Sequence, residues 1–141
     1  EEVKTIYLEY MKWMAVLYVK TMNIIHYSHD HYWYESLQMG LHATHIFRNM
    51  AFGLAGLSVG ADSLSASREA KVYWVRDEQG IARDFRIEGE CPRYGNDIES
   101  VDDLASWFVS KFMNLLREHK TYRNAEHSQS ILTLTSNVVY G

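Results

Sequence analysis

The chain has 141 residues, 47% of them apolar and 23% charged, which excludes a disordered segment and suits one globular domain. Fourteen basic residues against eighteen acidic ones leave a net charge of −4, the wrong sign for a protein that grips nucleic acid through its phosphates. A single cysteine, Cys91, excludes an internal disulfide and suits a reducing compartment, while the longest apolar stretch, Met11 to Ile25, is broken by Lys12 and Lys20 and so argues against a membrane span.

In chain order, the first predicted element is a long helix over residues 3 to 28. Val3, Ile6, Tyr7, Tyr10, Met11, Met14, Leu17, Tyr18, Met22 and Ile25 recur there at three- and four-residue spacing, with neither Gly nor Pro between them. Most of its circumference is apolar, so it needs neighbours to cover it. Asp30 is placed to cap a short helix over Tyr32 to Met39, with Gly40 as its stop. Residues 46 to 57, IFRNMAFGLAGL, carry Gly53 and Gly56 and predict a short buried strand or an irregular apolar turn rather than a helix. Ser58 then caps a helix that runs to Ala70.

KVYWVRD at 71 to 77 and the alternating residues Arg83 to Glu88 predict two strands of a hairpin, joined at Asp77-Glu78-Gln79-Gly80. Residues 89 to 100 form a turn-rich loop. Residues 101 to 119 are the clearest amphipathic helix: Leu104, Trp107, Phe108, Phe112, Leu115 and Leu116 share a face, acids lie at its start and bases at its end. Thr121 to Ser130 reads as a polar connection, and Ile131 to Ser136 as a strand. The chain starts Glu1-Glu2, with neither an initiator methionine nor a signal sequence, and stops directly after apolar residues. Such ends are expected of an excerpt from a longer protein.

Chemistry-bearing residues are sparse in pattern. His26, His29 and His31 cluster, and His42 and His45 follow at a three-residue interval. Two histidines one helical turn apart can share a metal, but neither HExxH nor a cysteine pair accompanies them, so polar histidines at helix ends are the expectation. Cys91 beside Glu90 reads as an incidental loop residue. Gly53, Gly56 and Gly60 match no phosphate-binding loop and serve close packing. The acids Glu88, Glu90, Asp97, Glu99, Asp102 and Asp103 lack the spacing of a calcium loop and fit a solvated loop followed by a helix start. Four Trp and ten Tyr residues, without a basic groove, belong to core and interface packing. From the residues alone the chain is an α+β piece with no self-contained active site.

Longer blocks go further. TMNIIHYSHDHYWYESLQMGLH, MAFGLAGLSVGADSLSA, VRDEQGIARDFRIEGE and TYRNAEHSQSILTLTSNVVYG resemble, in this order, pyruvate formate-lyase (formate C-acetyltransferase), of the glycyl radical enzymes, over about Val3 to Gly141. The resemblance implies a fold that is part of a ten-stranded α/β barrel, residues 1–141 being a single segment of long helices, a hairpin and one or two barrel strands. It implies that the parent converts pyruvate and CoA to acetyl-CoA and formate, using a glycyl radical, a thiyl radical on an adjacent cysteine pair, and CoA as co-substrate.

That cysteine pair and the glycyl loop have no counterpart here, so no catalytic, cofactor-binding or metal residue is transferred and the segment alone is expected to be inactive. The resemblance further implies a cytoplasmic homodimer, the rest of the parent chain and an activating radical enzyme as partners, and neither nucleic acid nor membrane. Departures from the family pattern are Ser67 to Glu69, GNDIES at 95 to 100, His127 in place of proline, and Cys91 in place of an aromatic residue. A non-catalytic structural or interaction protein derived from the same family is the alternative.

Overall fold

A computed structural model describes residues 2–32 and 35–131, and shows an α+β arrangement. The helices are α1 (Glu2–Tyr32), α2 (Glu35–His42), α3 (Leu57–Glu69) and α4 (Glu99–Arg117), with a short 3₁₀ turn at Tyr122–Asn124. The strands are β1 (Asn49–Gly53), β2 (Lys71–Arg76), β3 (Ala82–Glu88) and β4 (Glu126–Ser130). Two compact units divide them. The first holds the described residues up to Gly53 together with Ser110–Ser130, and the second holds Leu54–Val109.

In the first unit, β1 and β4 pair in parallel, with Asn49 opposite Glu126 and Gly53 opposite Ser130. Parallel neighbours need a long crossover, and here it is supplied by everything between Leu54 and Ala125. Met50 and Phe52 alternate inward from β1 and are fully buried, the pattern of a strand with one face on a core. Tyr18 of α1 meets the Phe52 ring edge-on at 5.1 Å, and its hydroxyl accepts the Gly53 N–H at 3.0 Å. Met11, Ala15 and Val19 form a narrow buried stripe on α1, at four-residue intervals.

Most other apolar residues of α1 are exposed, Tyr10 at 69% and Trp13 at 59% among them, so the helix carries a wide apolar surface that this chain leaves open. No helix among the described residues is long and apolar enough to cross a membrane.

In the second unit, Ala61, Leu64 and Ala66 of α3 and Val101, Leu104, Ala105 and Phe108 of α4 are buried. The predicted face of α4 is therefore the buried one, except that Trp107 is half-buried and packs edge-on against Phe108 at 5.1 Å. β2 and β3 form the expected antiparallel hairpin, with Trp74 opposite Phe85 and Val72 opposite Ile87.

Its turn is built on Asp77, whose carboxylate accepts N–H groups from Gln79 and Ile81 at 3.0 and 2.9 Å and pairs with Arg83 at 2.7 Å. Gly80, at φ 79°, supplies the left-handed residue that the turn requires. The Ile81 and Arg83 bonds hold the Asp77 carboxyl below its ordinary range. A depressed carboxyl contributes stability above its unfolded value, about 3.9, and loses it as pH falls through the folded one. Protection of the Gln79 and Ile81 amides, taken relative to their intrinsic exchange rates at each pH, should thus fall on acidification below that range in the native chain, and not in Asp77→Asn.

Several expectations change. Asp30 does not cap the second helix: α1 continues through it to Tyr32. Gly40 does not stop α2, which runs to His42 and closes with the Ala43 N–H on the Met39 carbonyl at 3.1 Å. A Cβ at Gly40 would meet nothing within 4 Å, so Gly40→Ala should stabilise the chain by about 0.5–1 kcal/mol, read as a raised urea midpoint. Ser58 does not cap α3. That role falls to Gly56, whose φ of 76° suits only a residue without Cβ strain, and no side chain caps the helix. Thr121 to Ser130 is not merely a connection, since β4 lies within it. The strand expected at Ile131 to Ser136 lies outside the described residues beyond Ile131.

Candidate functional site

The densest polar arrangement in the first unit grows from one face of α1. Asn23, Tyr27 and Asp30 stand four and then three residues apart, and so share a face over two turns. Asn23 Nδ2 donates to the Lys120 carbonyl at 2.9 Å, and Asn23 Oδ1 accepts the Tyr122 N–H at 2.7 Å. Tyr27 meets Tyr122 edge-on at 6.0 Å. Asp30 pairs with two arginines, Arg48 and Arg123, each at 3.2 Å. Its side chain is 4% exposed, against 13% for Arg48 and 52% for Arg123.

A carboxylate in the last turn of a helix faces the negative end of the helix dipole, so it depends on cations for its charge. Arg48 and Arg123 are well placed to supply them. Arg48 immediately precedes β1, and Arg123 lies in the 3₁₀ turn just before β4, at φ 51°. One carboxylate thus ties the starts of both parallel strands to α1. The Glu126 N–H donates to the Arg48 carbonyl at 2.7 Å and continues the link between them.

Beside this cluster is a cavity of about 220 Å³. His26, His29, Asp30, Arg48 and Asn49 give it polar lining, and Ile25, Met39 and Phe47 give it apolar lining. The predicted histidines separate here. His26 and His29 line the cavity, whereas His31 stacks on Tyr27 at 5.5 Å. His42 ends α2 and His45 lies beyond it, so the two do not share a helical turn. His127 Nε2–H donates to the His119 carbonyl at 3.0 Å, and its ring stacks with Phe52 at 5.6 Å. Among the described residues no group of three or more His, Cys, Asp or Glu side chains is arranged to hold a metal ion.

In the second unit, Cys91 is half-buried on the loop after β3 and lines a cavity of about 620 Å³ with Asp62, Glu90 and Arg93. That loop is pinned to α3. Ser65 donates to the Pro92 carbonyl, and Asp62 accepts the Tyr94 N–H, both at 2.7 Å. Among the six predicted acids, Glu88 pairs with Arg86 at 3.1 Å, Asp97 occupies a turn at φ 55°, and Glu99 and Asp102 sit in the first turn of α4. They do not converge on one point.

The cluster on Asp30 was missed in the sequence. Its signal was the Asn23, Tyr27, Asp30 spacing on a helix otherwise read for its apolar residues, and its partners lie 18 and 93 residues along the chain.

Comparison with known proteins places this geometry in context. The model of the family described as pyruvate formate lyase-like matches residues 1–141. The PFL-like enzyme TdcE of Escherichia coli (strain K12) is 54% identical over 132 residues, covering 94% of this chain and 17% of that protein. The chain spans about a sixth of the length of the curated relative it matches.

Proposed function

The chain belongs to the pyruvate formate lyase-like family, and from that premise we propose that it is part of a formate C-acetyltransferase, contributing wall strands and outer helices to an active site whose catalytic groups lie elsewhere in a longer chain. The reaction is the conversion of pyruvate, or a closely related 2-keto acid, and CoA to the acyl-CoA and formate. The glycyl and thiyl radicals of such an enzyme supply the cleavage of the carbon–carbon bond. This segment does not fit that role: its cysteine stands alone, and none of its eight glycines lies in a glycyl-radical sequence.

Identity of 54% along nearly the whole chain is the observation that carries the proposal. The fold is compatible with it in two respects. β1 and β4 are parallel neighbours joined by a long crossover, the arrangement from which α/β walls are assembled. α1 presents an apolar surface that asks for cover, as an outer helix inside a larger body does.

What the residues do in this role is structural. Phe52 and Met50 anchor β1 from behind, Asp30 sets the starts of β1 and β4, and the Asp77 turn closes the hairpin. A closed wall matters to such chemistry because radicals must be kept from water and oxygen. The same reading makes the longer protein a cytoplasmic homodimer that depends on a separate activating enzyme.

Sequencing the gene on both sides of the segment tests the proposal. An adjacent Cys-Cys upstream and a glycyl-radical motif downstream are the expected result. A stop codon directly after Gly141, with no Cys-Cys upstream, would leave instead a non-catalytic relative of the family.

A further inference from the structure

We propose that the cavity beside Asp30 binds a small organic carboxylate. The inference starts from Arg48. Its side chain is 13% exposed, and both its contacts with Asp30, at 3.2 and 3.3 Å, are made by Nη1. Its Nε and Nη2 groups make no hydrogen bond with any described residue. A guanidinium has five N–H donors, and one held in place by Nη1 offers its Nε and Nη2 edge as the fork that grips a carboxylate through two parallel hydrogen bonds.

The charge count agrees. Arg48 and Arg123 both pair with Asp30, two cations on one carboxylate. His26 lines the same cavity and brings a further ring nitrogen to it.

The rest of the cavity selects the kind of anion. Ile25, Met39 and Phe47 supply the apolar part of the lining, a surface of no use to a fully polar ion such as phosphate but suited to a short hydrocarbon tail. The volume of about 220 Å³ equals that of roughly seven waters, which limits the ligand to a few carbon atoms. The inference does not rest on the proposed function.

Arginine labelling with phenylglyoxal, read by peptide mass spectrometry on the unmodified chain, tests the proposal. Arg83 and Arg86 of the exposed hairpin serve as internal references. With ionic strength held constant, butyrate should slow the labelling of Arg48 saturably and leave Arg83 and Arg86 unchanged. Acetate should need roughly fifteenfold more for the same protection, since butyrate has two more methylenes and each one against the apolar lining is worth about a fourfold gain. Inorganic phosphate should protect weakly or not at all. Labelling of Arg48 that follows the two hairpin arginines under every condition would overturn the proposal. So would equal protection by acetate, butyrate and phosphate.

Discussion

Asp30→Ala is expected to destabilise the chain by about 3 kcal/mol, read as a lowered urea midpoint with an unchanged slope. The reason is not the value of the ion pairs as such. Exposed pairs are worth little, and Arg123 is half exposed. The cost arises at Arg48, whose side chain is 13% exposed and would be left largely buried without its counter-charge. Arg123→Ala removes the more solvated partner and should cost at most about 1 kcal/mol. A large effect from Asp30 with a small one from Arg123 would identify Arg48 as the member that needs the carboxylate. Because Arg48 and Arg123 precede β1 and β4, amide protection in both strands should fall together in Asp30→Ala.

Phe52→Ala should cost about 3–5 kcal/mol, the range for deleting a fully buried aromatic ring. Phe52 is 0% exposed and is held between the Tyr18 ring at 5.1 Å and the His127 ring at 5.6 Å. Neither neighbour can close the space, because Tyr18 is fixed by the Gly53 N–H and His127 by the His119 carbonyl. Leu41→Ala is the comparison. Leu41 is 84% exposed, and its loss should stay within about 0.5 kcal/mol in the same urea titration.

How far the sequence reveals this fold depends on the range of the forces involved. α4 and the hairpin were legible because their determinants are local. A 3.6-residue stripe defines the buried face of α4, and alternating residues around Asp77 and Gly80 define the hairpin. β4 was not legible. Glu126, His127, Ser128, Gln129 and Ser130 carry no apolar alternation, and the strand exists through backbone pairing with β1, more than seventy residues earlier. His127 donates to the His119 carbonyl and Ser128 to the Met50 carbonyl, whereas Gln129 Nε2 is buried with no partner among the described residues.

The cap of α3 failed for a related reason. Ser58 has the right chemistry for a cap, but Gly56 has the backbone freedom that fixes where the helix begins. Asp30 was misread as a helix start because its two arginines are distant in sequence. Of the candidate site residues, the histidines were visible, but which two would line a cavity followed from the packing around Arg48 and Met39. Family membership, by contrast, was legible from the ordered blocks of sequence, and the family match over residues 1–141 bears it out.

In the proposed function, this segment supports a formate C-acetyltransferase without performing its chemistry. Exchange of radiolabelled formate into pyruvate tests it most directly, measured without oxygen after radical activation, in the longer protein carrying this segment with Cys91→Ser. The predicted result is exchange at the rate of the unmodified protein, because the proposed function puts the reacting thiols outside residues 1–141. Absence of exchange in the unmodified protein, or a loss of more than about tenfold on replacing Cys91, would contradict it.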